Sequence, residues 1–455
     1  MQKISALAKQ RGFIFQSSEI YGGLSSSYDY GPLGVELKNN IKRRWWKSMV
    51  QGRGDIVGLD SAIFTHPKVW EASGHLSSFT DPLVDCKKCK RRFRADHLLE
   101  AKGIKPELGT LKELPPEVGG CPECGGQLTA ARDFNLMFKT MMGPVEDEAT
   151  EIFLRPETAQ GIYVNFNNVL QSTRRRLPFG IAQIGKSFRN EITPGNFTYR
   201  TREFEQMEMQ YFVKADEADK WFNQWQGDRM DWYKDLGFNE SNLRFREHGK
   251  DELAHYAKKA VDVDYKYPWG WGELEGIHNR GDWDLSQHAK HSGEDLQYRD
   301  PESGEKSIPW IVETAAGADR LTLVALLDAY SEIEGGRSTT TESNKEAETV
   351  LKFHPSIAPI KVAVLPLSKK EELNKFTDTV LDQLRPKWMT MYDESGSIGK
   401  RYRRQDEIGT PFCVTVDFDT AKDKAVTVRD RDSMKQERIG ISEVENYFAE
   451  KLEGI

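Results

Sequence analysis

The stretch Phe188-Arg189-Asn190-Glu191 decides the fold, together with Arg200-Thr201-Arg202-Glu203-Phe204, which follows it after a polar loop. On both sides of that loop, which runs from Thr193 to Arg202, apolar and polar residues alternate with the period of two that is typical of β-strands. The pattern predicts an antiparallel strand pair over Phe179 to Val213. Charged residues on such a pair commonly form cross-strand ion pairs that only stabilise the sheet. Other motifs in the sequence are therefore needed to show whether these charges have a function.

Two further strings flank this strand pair in the sequence. Tyr28-Asp29-Tyr30-Gly31-Pro32-Leu33-Gly34 comes before it and leads into Val35 to Val50, where apolar residues recur every four positions and predict an amphipathic helix. Gly317-Ala318-Asp319-Arg320 comes after it and precedes an apolar helix from Leu321 to Tyr330. In chain order, the three regions resemble motifs 1, 2 and 3 of the class II aminoacyl-tRNA synthetases.

Shorter strings narrow the resemblance to one family, the homodimeric glycyl-tRNA synthetases. These strings are Ser17 to Leu24, Phe93 to Leu98, Arg155 to Gly161, Arg202 to Glu208 and Gly272 to Ile277. The resemblance runs from about Lys9 to Glu437. It implies an α+β fold, in which a class II antiparallel-sheet catalytic domain with a zinc-ribbon-like insertion precedes a C-terminal α/β anticodon-binding domain. It also implies a homodimer assembled through motif 1.

The resemblance implies ATP-dependent attachment of glycine to tRNA(Gly) through a glycyl-adenylate, with release of AMP and pyrophosphate. Because a carboxylate must attack a phosphate, arginines and Mg²⁺ bound with ATP are expected to neutralise charge. Two catalytic residues are implied: Arg189 holds the α-phosphate and Arg320 the far end of the triphosphate, while Phe204 stacks on adenine. Glu275 and Glu313 are the carboxylates expected at the metal. The implied ATP-binding residues are Arg189, Asn190, Glu191, Tyr199, Arg200, Thr201, Arg202, Glu203, Phe204, Leu274, Glu275, Gly317, Ala318, Asp319 and Arg320.

Glycine has no side chain to grip, so its selection must combine exclusion of larger amino acids with recognition of the ammonium group. The resemblance assigns acidic residues to this pocket, with Glu157 foremost; the alternative is that Glu157 only pairs with Arg155 at a surface turn. Because strand residues alternate between faces, one of Glu205 and Glu208 must lie outside the pocket unless the strand bulges, and we favour Glu205 inside it. The implied glycine-binding residues are Arg94, Glu157, Phe204, Glu205, Gln206, Met207, Glu208, Glu313, Thr314, Ala315, Ala316 and Gly317. Ala315 departs from the family pattern, which has serine there, so a hydroxyl near the substrate is lost.

Two Cys-x-x-Cys pairs, Cys86/Cys89 and Cys121/Cys124, lie on either side of residues 90–120. Paired thiolate knuckles of this kind hold one structural zinc ion, because four thiolates close its coordination shell. The alternative is a ribbon that has lost its metal, or four unligated thiols. Cys413 lies within an apolar strand pattern, which favours a buried packing role.

From about Ser356 onward, strand and helix patterns alternate and predict a separate α/β domain. The polar stretch Glu334 to Glu348 lacks apolar periodicity and is expected to be a linker. Residues Tyr392 to Arg404 resemble the anticodon-binding domain shared by glycyl, threonyl, prolyl and histidyl enzymes. Cations and aromatics interleave there, as contact with unpaired bases requires, although a generic α/β domain with a basic loop would show the same pattern. The expected domains are catalytic (1–84 and 131–350), zinc-ribbon-like insertion (85–130) and anticodon-binding (356–455).

The composition is that of a soluble, globular protein with several domains: 455 residues, of which 38% are apolar and 30% charged. A net charge of −7 disfavours general affinity for nucleic acids, so tRNA must be bound by local clusters of Lys and Arg. No secretory signal or membrane span is expected. Five cysteines without a disulfide pattern favour a reducing cytoplasm.

Other classes of protein are disfavoured. The sequence has no phosphate-binding loop of the Walker type, since Glu394 stands five residues before Gly399-Lys400, and it has neither signature motif of the class I synthetases. A catalytically dead relative, such as a nucleic-acid-binding accessory subunit, would be expected to lose Arg189, Glu191 or Arg320, and all three are present. A synthetase for another small amino acid is disfavoured by the glycyl-specific strings.

Overall fold

The computed structural model describes residues 1–104, 114–144, 151–249, 252–253, 257–335, 337 and 347–453. Most of the predicted linker (residues 336 and 338–346) and part of the predicted insertion (residues 105–113) lie outside them. Two large sheets organise the described part of the chain, one with seven strands and one with five.

The N-terminal segment contains the helix predicted after motif 1. Its elements are α1 (Gln2–Gln10), β1 (Ile14–Gln16), β2 (Tyr28–Tyr30), α2 (Pro32–Trp46), β3 (Ile56–Gly58), α3 (Pro67–Ala72) and α4 (His75–Ser78). α2 begins at Pro32 because proline lacks the N–H that would have no partner in a first helical turn. A Cβ at Gly34 would lie 1.8 Å from the carbonyl oxygen of Phe13, so only glycine allows this close approach. The amphipathic helix is confirmed, and it continues as a wider π-helical turn over Lys47–Gln51.

A small antiparallel sheet follows, with the order β5-β4-β6. Its elements are β4 (Thr80–Asp85), β5 (Arg92–Arg94), α5 (Ala95–Glu100) and β6 (Arg132–Asn135). A hairpin of β7 (Lys139–Met141) and β8 (Glu151–Phe153) leads from this sheet back towards the larger one.

The seven-stranded sheet has the order β11-β12-β13-β16-β10-β9-β3, and its strands are antiparallel except for the pair of β3 with β9. This part of the chain contains α6 (Ala159–Val164), α7 (Phe166–Thr173), β9 (Phe179–Phe188), β10 (Glu203–Val213), α8 (Ala218–Asp235), β11 (Leu243–Glu247), β12 (Lys259–Tyr267), β13 (Gly270–Gly281), α9 (Trp283–Ser292), β14 (Tyr298–Arg299), β15 (Lys306–Ser307), β16 (Trp310–Gly317), α10 (Ala318–Ala329) and β17 (Tyr330–Ile333). The predicted strand pair is confirmed as β9 and β10, with Phe188 opposite Glu203 at the loop.

The two faces of this sheet are covered differently. α2, α8 and α10 cover one face completely, and there Met207, Met209 and Tyr211 of β10 join the main hydrophobic core. On the other face, α6, α7 and α9 pack against one half of the sheet around Phe212. The remaining half of that face, formed by β10, β13 and β16, is the floor of an open cleft.

The C-terminal part forms the five-stranded sheet, with the order β20-β19-β21-β22-β23. Its elements are β18 (Glu348–Leu351), which pairs with β17, and then β19 (Val362–Pro366), α11 (Glu371–Leu384), β20 (Thr390–Tyr392), α12 (Ile398–Ile408), β21 (Phe412–Val416), α13 (Thr420–Asp423), β22 (Ala425–Asp430), β23 (Gln436–Gly440) and α14 (Val444–Glu453). The three strands β20, β19 and β21, on one side of this sheet, are parallel, as the alternation of strands and helices predicts.

Among the described residues, we find no helix that combines the length and the apolar character needed to cross a lipid bilayer.

Candidate active site

The cleft over β10, β13 and β16 brings together the residues around Arg189 and those around Arg320. It encloses a cavity of about 240 Å³ that opens to solvent. Predicted ATP-binding residues that line it are Arg189, Glu191, Tyr199, Arg200, Thr201, Phe204, Gly317, Asp319 and Arg320. Predicted glycine-binding residues that line it are Glu157, Phe204, Gln206, Glu208, Glu313, Ala315, Ala316 and Gly317.

The two arginines are held in different ways. Arg189 donates from Nε to the carbonyl oxygen of Pro156 (3.0 Å), and its guanidinium carbon lies over the rings of Phe79 and Phe204, 5.4 and 5.3 Å from their centroids. Within the described residues, no group accepts a hydrogen bond from its Nη1 or Nη2. That side of the guanidinium is therefore available for bidentate contact with an anion.

Arg320 lies at the other side of the cleft and is already paired. Its Nη1 lies 3.0 Å from Glu273 Oε1, its Nε donates to the carbonyl oxygen of Tyr199 (3.1 Å), and its guanidinium lies over the Tyr199 ring. The positive charge of Arg320 lowers the pKa of Glu273. An incoming phosphate must therefore share Arg320 with Glu273 or displace that carboxylate.

Three carboxyl groups converge at the inner end of the cleft: Glu208 and Glu313 are buried, and Glu157 is half-buried. Glu313 accepts from His278 Nδ1 (2.8 Å) and from Arg280 Nη1 (2.9 Å). Burial acts to raise the pKa of Glu313, but Arg280 and His278 outweigh it and lower that pKa to about 2. Glu313 is thus ionised and fully paired, which argues against the role at a metal expected from the sequence.

Glu157 and Glu208 have opposite pKa shifts. Burial acts to raise the pKa of Glu157, but His75 and then Arg280 outweigh it, and the net shift is downward. The pKa of Glu208 is raised well above its ordinary value by burial and by the negative charges of Glu313 and Glu157. The two shifts favour an ionised Glu157 beside a protonated Glu208, at a place where a cationic ammonium group would fit. Glu157 does not pair with Arg155, which binds the backbone of Lys186 and Ser61 instead.

The choice of Glu205 as the pocket residue of β10 is wrong. Its carboxylate faces α2, where Lys38 and Lys42 lie 3.1 Å from its oxygens. Alternation along β10 then places Phe204, Gln206 and Glu208 on the cleft face, and Glu208 is the acidic residue in the pocket.

The expectation that Glu275 lies at the metal is also wrong, and the reason is a β-bulge. Val263 of β12 pairs with Glu275 and Asp264 pairs with Glu273, which leaves Leu274 without a partner. The extra residue changes which side chains face the cleft, so Glu273 lines it while Glu275 points to α8. There, Glu275 accepts hydrogen bonds from Arg229 Nε (2.8 Å) and the Tyr233 hydroxyl (2.5 Å).

Several other predicted residues lie outside the cleft. Met207, Leu274 and Thr314 are buried on the helix side of the sheet or within it, and Ala318 is buried at the start of α10. Asn190 donates from its backbone to Leu136, while Arg202 and Glu203 contact Ser25 and Lys186 at the surface. Arg94 pairs with Asp81 (2.9 Å) and Asp96 (2.6 Å) beside the small sheet and does not line the cleft.

The sequence reasoning missed five cleft residues: Thr198, Glu273, Gly276, His278 and Arg280. Three of them, Gly276, His278 and Arg280, occur at every second position of β13 after the bulge. A period-two reading of β13 begun at Gly276 would have placed these three on one face.

The four cysteines of the small sheet fit a tetrahedral zinc site. Their Sγ atoms all lie within 4.8 Å of one another, with 3.5 Å between Cys86 and Cys124 and 3.7 Å between Cys89 and Cys121. Zinc–sulfur bonds of about 2.3 Å in a tetrahedron would place the sulfurs about 3.8 Å apart. The backbone N–H of Cys89 points at Cys86 Sγ (3.4 Å) and lowers the pKa of that thiol to about 6. The donor set therefore suits Zn²⁺ in its geometry and in its four sulfur ligands.

In the basic stretch Tyr392 to Arg404 of the C-terminal domain, some of the cationic side chains are buried or already paired. Arg401 is buried and donates to the carbonyl oxygen of Pro366 (2.5 Å), and Arg404 pairs with Asp393 (2.6 Å). Tyr402 donates to or accepts from Thr415. Lys400, by contrast, is exposed, and within the described part of the chain it makes no ion pair.

Comparison with protein families identifies both parts of the chain. Residues 138–330 match the tRNA synthetase class II core domain (G, H, P, S and T), and residues 361–451 match the anticodon binding domain. The fold is also found in prolyl-tRNA synthetase from Cryptosporidium parvum, which superposes with a TM-score of 0.64 at 18% identity and covers 99% of this chain and 77% of that one.

Full-length relatives are much closer in sequence. The glycine–tRNA ligase of Thermobifida fusca is 54% identical over 462 residues, covering 100% of this chain and 98% of the relative. That of Caldanaerobacter subterraneus subsp. tengcongensis is 56% identical over 463 residues, covering 99% and 98%. The chain therefore belongs to the glycine–tRNA ligase family of class II aminoacyl-tRNA synthetases, the enzymes that attach glycine to tRNA(Gly).

Proposed function

We propose that the enzyme forms glycyl-adenylate from glycine and ATP in the described cleft and then transfers the glycyl group to tRNA(Gly). Pyrophosphate leaves in the first step and AMP in the second. The observation that carries this proposal is the arrangement of charge in one cleft: Arg189 and Arg320 stand beside the carboxyl groups of Glu157 and Glu208. An anionic nucleotide and a cationic ammonium group each find the opposite charge within the cleft.

In this proposal ATP enters with Mg²⁺ as part of the substrate. Arg189 binds the α-phosphate through its available Nη atoms, and Arg320 binds the far end of the triphosphate. Phe204, already in contact with Arg189, stacks on adenine. The arginines lower the barrier because they neutralise the charge that builds up when the glycine carboxylate attacks the α-phosphorus.

Glycine is held at the inner end of the cleft, where Glu157 and Glu208 bind its ammonium group. Exclusion of larger amino acids rests on the walls around this group, since one methyl group gives only about 1 to 3 kcal/mol of discrimination by affinity. Ala315 and Gly276, which are paired on adjacent strands, form a floor without polar side chains. Ala315 supplies no hydroxyl, so recognition of glycine depends on the carboxyl groups.

Zinc, when bound, stabilises the small sheet as a closed four-thiolate site. Cys86, Cys89, Cys121 and Cys124 are the residues that would hold it. We place the insertion at residues 80–135, because β4 begins at Thr80 and β6 ends at Asn135. The anticodon-binding domain is placed at 361–455 rather than 356–455, because Ile357, Ala358 and Ile360 belong to the core under the larger sheet.

The enzyme is proposed to act as a homodimer in the cytoplasm. Support for the dimer comes from the loop between β1 and β2, next to motif 1, where Ile20 and Tyr21 are 89% and 86% exposed. Apolar side chains exposed to this degree are typical of a surface that is covered in an assembly. Support for a reducing compartment comes from the five cysteines, all of them free thiols.

The test is ATP–pyrophosphate exchange measured with each of the twenty amino acids, on the wild type and on Arg189→Ala. Exchange should depend on glycine, and Arg189→Ala should reduce kcat/KM about a hundredfold or more, since a phosphate contact at the transition state is worth roughly 3 kcal/mol. Arg176→Ala, an exposed arginine paired with Glu302 outside the cleft, is the matched control and should keep wild-type exchange. Exchange stimulated by another amino acid, or normal exchange in Arg189→Ala, would refute the proposal.

A further inference from the structure

The segment between α3 and β4 places a histidine behind the glycine pocket. We propose that His75 is a positioning residue that holds the Glu157 carboxylate in its glycine-binding orientation. This inference rests on the proposed role of Glu157 in binding the ammonium group of glycine. His75 itself does not line the cleft, so it would act only through Glu157.

The orientation of the His75 ring is fixed on three sides. Its Nδ1 lies 2.8 Å from the hydroxyl of Ser73, and its ring contacts Trp70 and Phe79 at centroid distances of 5.6 and 5.2 Å. Trp70 is fully buried, so the packing on that side leaves no room for the ring to turn. These contacts direct Nε2 towards Glu157 Oε2, which lies 3.5 Å away.

The Ser73 hydroxyl lies within reach of two acceptors, His75 Nδ1 (2.8 Å) and the carbonyl oxygen of Trp70 (3.4 Å). A serine hydroxyl that donates to Nδ1 leaves the single N–H of a neutral imidazole on Nε2, the nitrogen that faces Glu157. The protonated ring donates from Nε2 whichever way the Ser73 hydroxyl points, and the neutral ring donates from Nε2 when that hydroxyl donates to Nδ1.

The second oxygen of Glu157 is held from the opposite direction. Gln160 of α6 donates from Nε2 to Glu157 Oε1 (2.9 Å), and His288 contacts the amide oxygen of Gln160 (2.7 Å). Neither His75 nor Gln160 lines the cleft, although Glu157 does. Each carboxylate oxygen thus has one partner outside the cleft, and its other lone pair remains for a ligand inside it.

Phe79 connects His75 to the ATP side of the cleft. The ring that contacts His75 also lies 5.4 Å from the guanidinium carbon of Arg189. A substitution that disturbs this packing would affect both substrates, whereas loss of the Nε2 donor alone would affect only glycine. The two effects can be separated by replacing His75 with residues of different shape and chemistry.

The test compares His75→Phe, which keeps the ring packing and removes both nitrogens, with His75→Gln, which keeps a donor. In glycine-dependent ATP–pyrophosphate exchange, His75→Phe should raise the KM for glycine roughly five- to tenfold, as expected for loss of a contact to a charged group. Its KM for ATP and its kcat should stay within about twofold of the wild type. His75→Gln should restore most of the glycine affinity. The matched control is His291→Phe, which removes an exposed histidine of α9.

The decisive comparison is made in a Glu157→Ala background. If His75 acts through Glu157, then adding His75→Phe to Glu157→Ala should change the KM for glycine by less than about twofold. A normal KM for glycine in His75→Phe, with a raised KM in Glu157→Ala, would overturn the role of His75 and leave the proposed pocket intact. A normal KM in both variants would overturn the role of Glu157 and with it this inference. Ser73→Ala removes the contact to Nδ1 and the longer one to the Trp70 carbonyl oxygen while keeping the imidazole ring. It should cause a smaller rise, and it replaces His75→Phe in the test if that variant does not fold.

Discussion

Glu208 lies between two other acidic residues, Glu157 and Glu313, and only 2% of its surface is exposed. Burial raises its pKa, and the charges of Glu313 and Glu157 raise it further. The folded, empty enzyme therefore binds a proton at Glu208 at pH values where the unfolded chain has lost it. An ammonium group that replaces this proton would satisfy the same carboxylate, so the site is less stable without substrate than with it.

We expect Glu208→Gln to stabilise the empty enzyme and to weaken glycine binding. Since the folded pKa is raised, wild-type stability falls as pH rises above the ordinary value of 4.5, and the variant escapes this loss. Its advantage in free energy of unfolding should grow with pH above that value, by up to the order of 1 kcal/mol per pH unit. Urea denaturation without substrates, between pH 4.5 and 8, measures this difference, and exchange kinetics should show a glycine KM raised about tenfold.

The exposed carboxylate Glu302 provides the control for that experiment. Its side chain is 81% exposed, so Glu302→Gln should leave the pH dependence of unfolding unchanged. A stability difference between Glu208→Gln and the wild type that stays constant over the whole pH range would show that Glu208 does not titrate with a raised pKa.

At the scale of elements, the sequence predicts regular strands well and irregular ones poorly. β9 and β10 run without interruption, so alternation was enough to predict both. Alternation also indicated that only one of Glu205 and Glu208 could lie in the pocket. Which one does so depends on α2, because Lys38 and Lys42 of that helix form ion pairs with Glu205. The bulge at Leu274 has no clear sequence signature. It places Glu273 and Glu275, which would share one face of a regular strand, on opposite faces of β13.

The two cysteine knuckles of the small sheet lie side by side: the backbone N–H of Lys87 donates to the carbonyl oxygen of Gln127 (2.9 Å), and Arg91 lies 2.7 Å from Glu123. The backbone N–H of Cys121 donates to the carbonyl oxygen of Gly126 (2.7 Å), and that of Cys86 to Arg91 (2.8 Å), so each knuckle is a tight turn. The thiols of one turn face those of the other, with 3.5 Å between Cys86 and Cys124 and 3.7 Å between Cys89 and Cys121. A metal ion at their centre would therefore connect two segments that are far apart in the sequence.

We expect one zinc ion per chain in protein that has never been exposed to chelator. Cys89→Ser or Cys121→Ser should reduce bound zinc to below about one-tenth per chain and lower the Tm, because three thiolates bind far less strongly than four. Elemental analysis and thermal denaturation measure the two effects. Cys413→Ala is the matched control, since Cys413 is buried in β21 away from the knuckles and its loss should leave zinc content unchanged.

At the scale of the whole molecule, the two large sheets are joined by buried contacts and not only by a connecting segment. Arg431, 2% exposed, donates to the carbonyl oxygens of Phe353 and Gly409 (2.8 Å each). Arg11, which precedes β1, lies 2.5 Å from Glu407 of α12. These contacts fix the anticodon-binding domain relative to the cleft. A truncation of that domain would break them, so its role is better tested by a substitution on its surface.

α11 and α12 lie on opposite faces of the five-stranded sheet, which offers such a test with an internal control. Val362 and Val364 of β19 pack with α11, whereas Ala363 and Leu365 pack with Ile398 and Tyr402 of α12. α12 also contacts β18, so its face is the one turned towards the catalytic domain. A tRNA that reaches both the C-terminal domain and the cleft should therefore pass nearer to α12 than to α11.

Lys400→Glu on α12 should weaken tRNA charging and leave glycine-dependent exchange unchanged. Lys400 is exposed and without an ion pair in the described residues, so its charge is available for a phosphate. We expect the KM for tRNA(Gly) to rise roughly three- to tenfold, and the slope of log affinity against log salt to become shallower by about 0.7 to 0.9, the value of one phosphate contact. Lys375→Glu, an exposed lysine of α11 on the opposite face, has the same charge change and should have little effect on either quantity. Equal losses in the two variants would indicate a general effect of net charge, and tRNA would then not be bound on the side of α12.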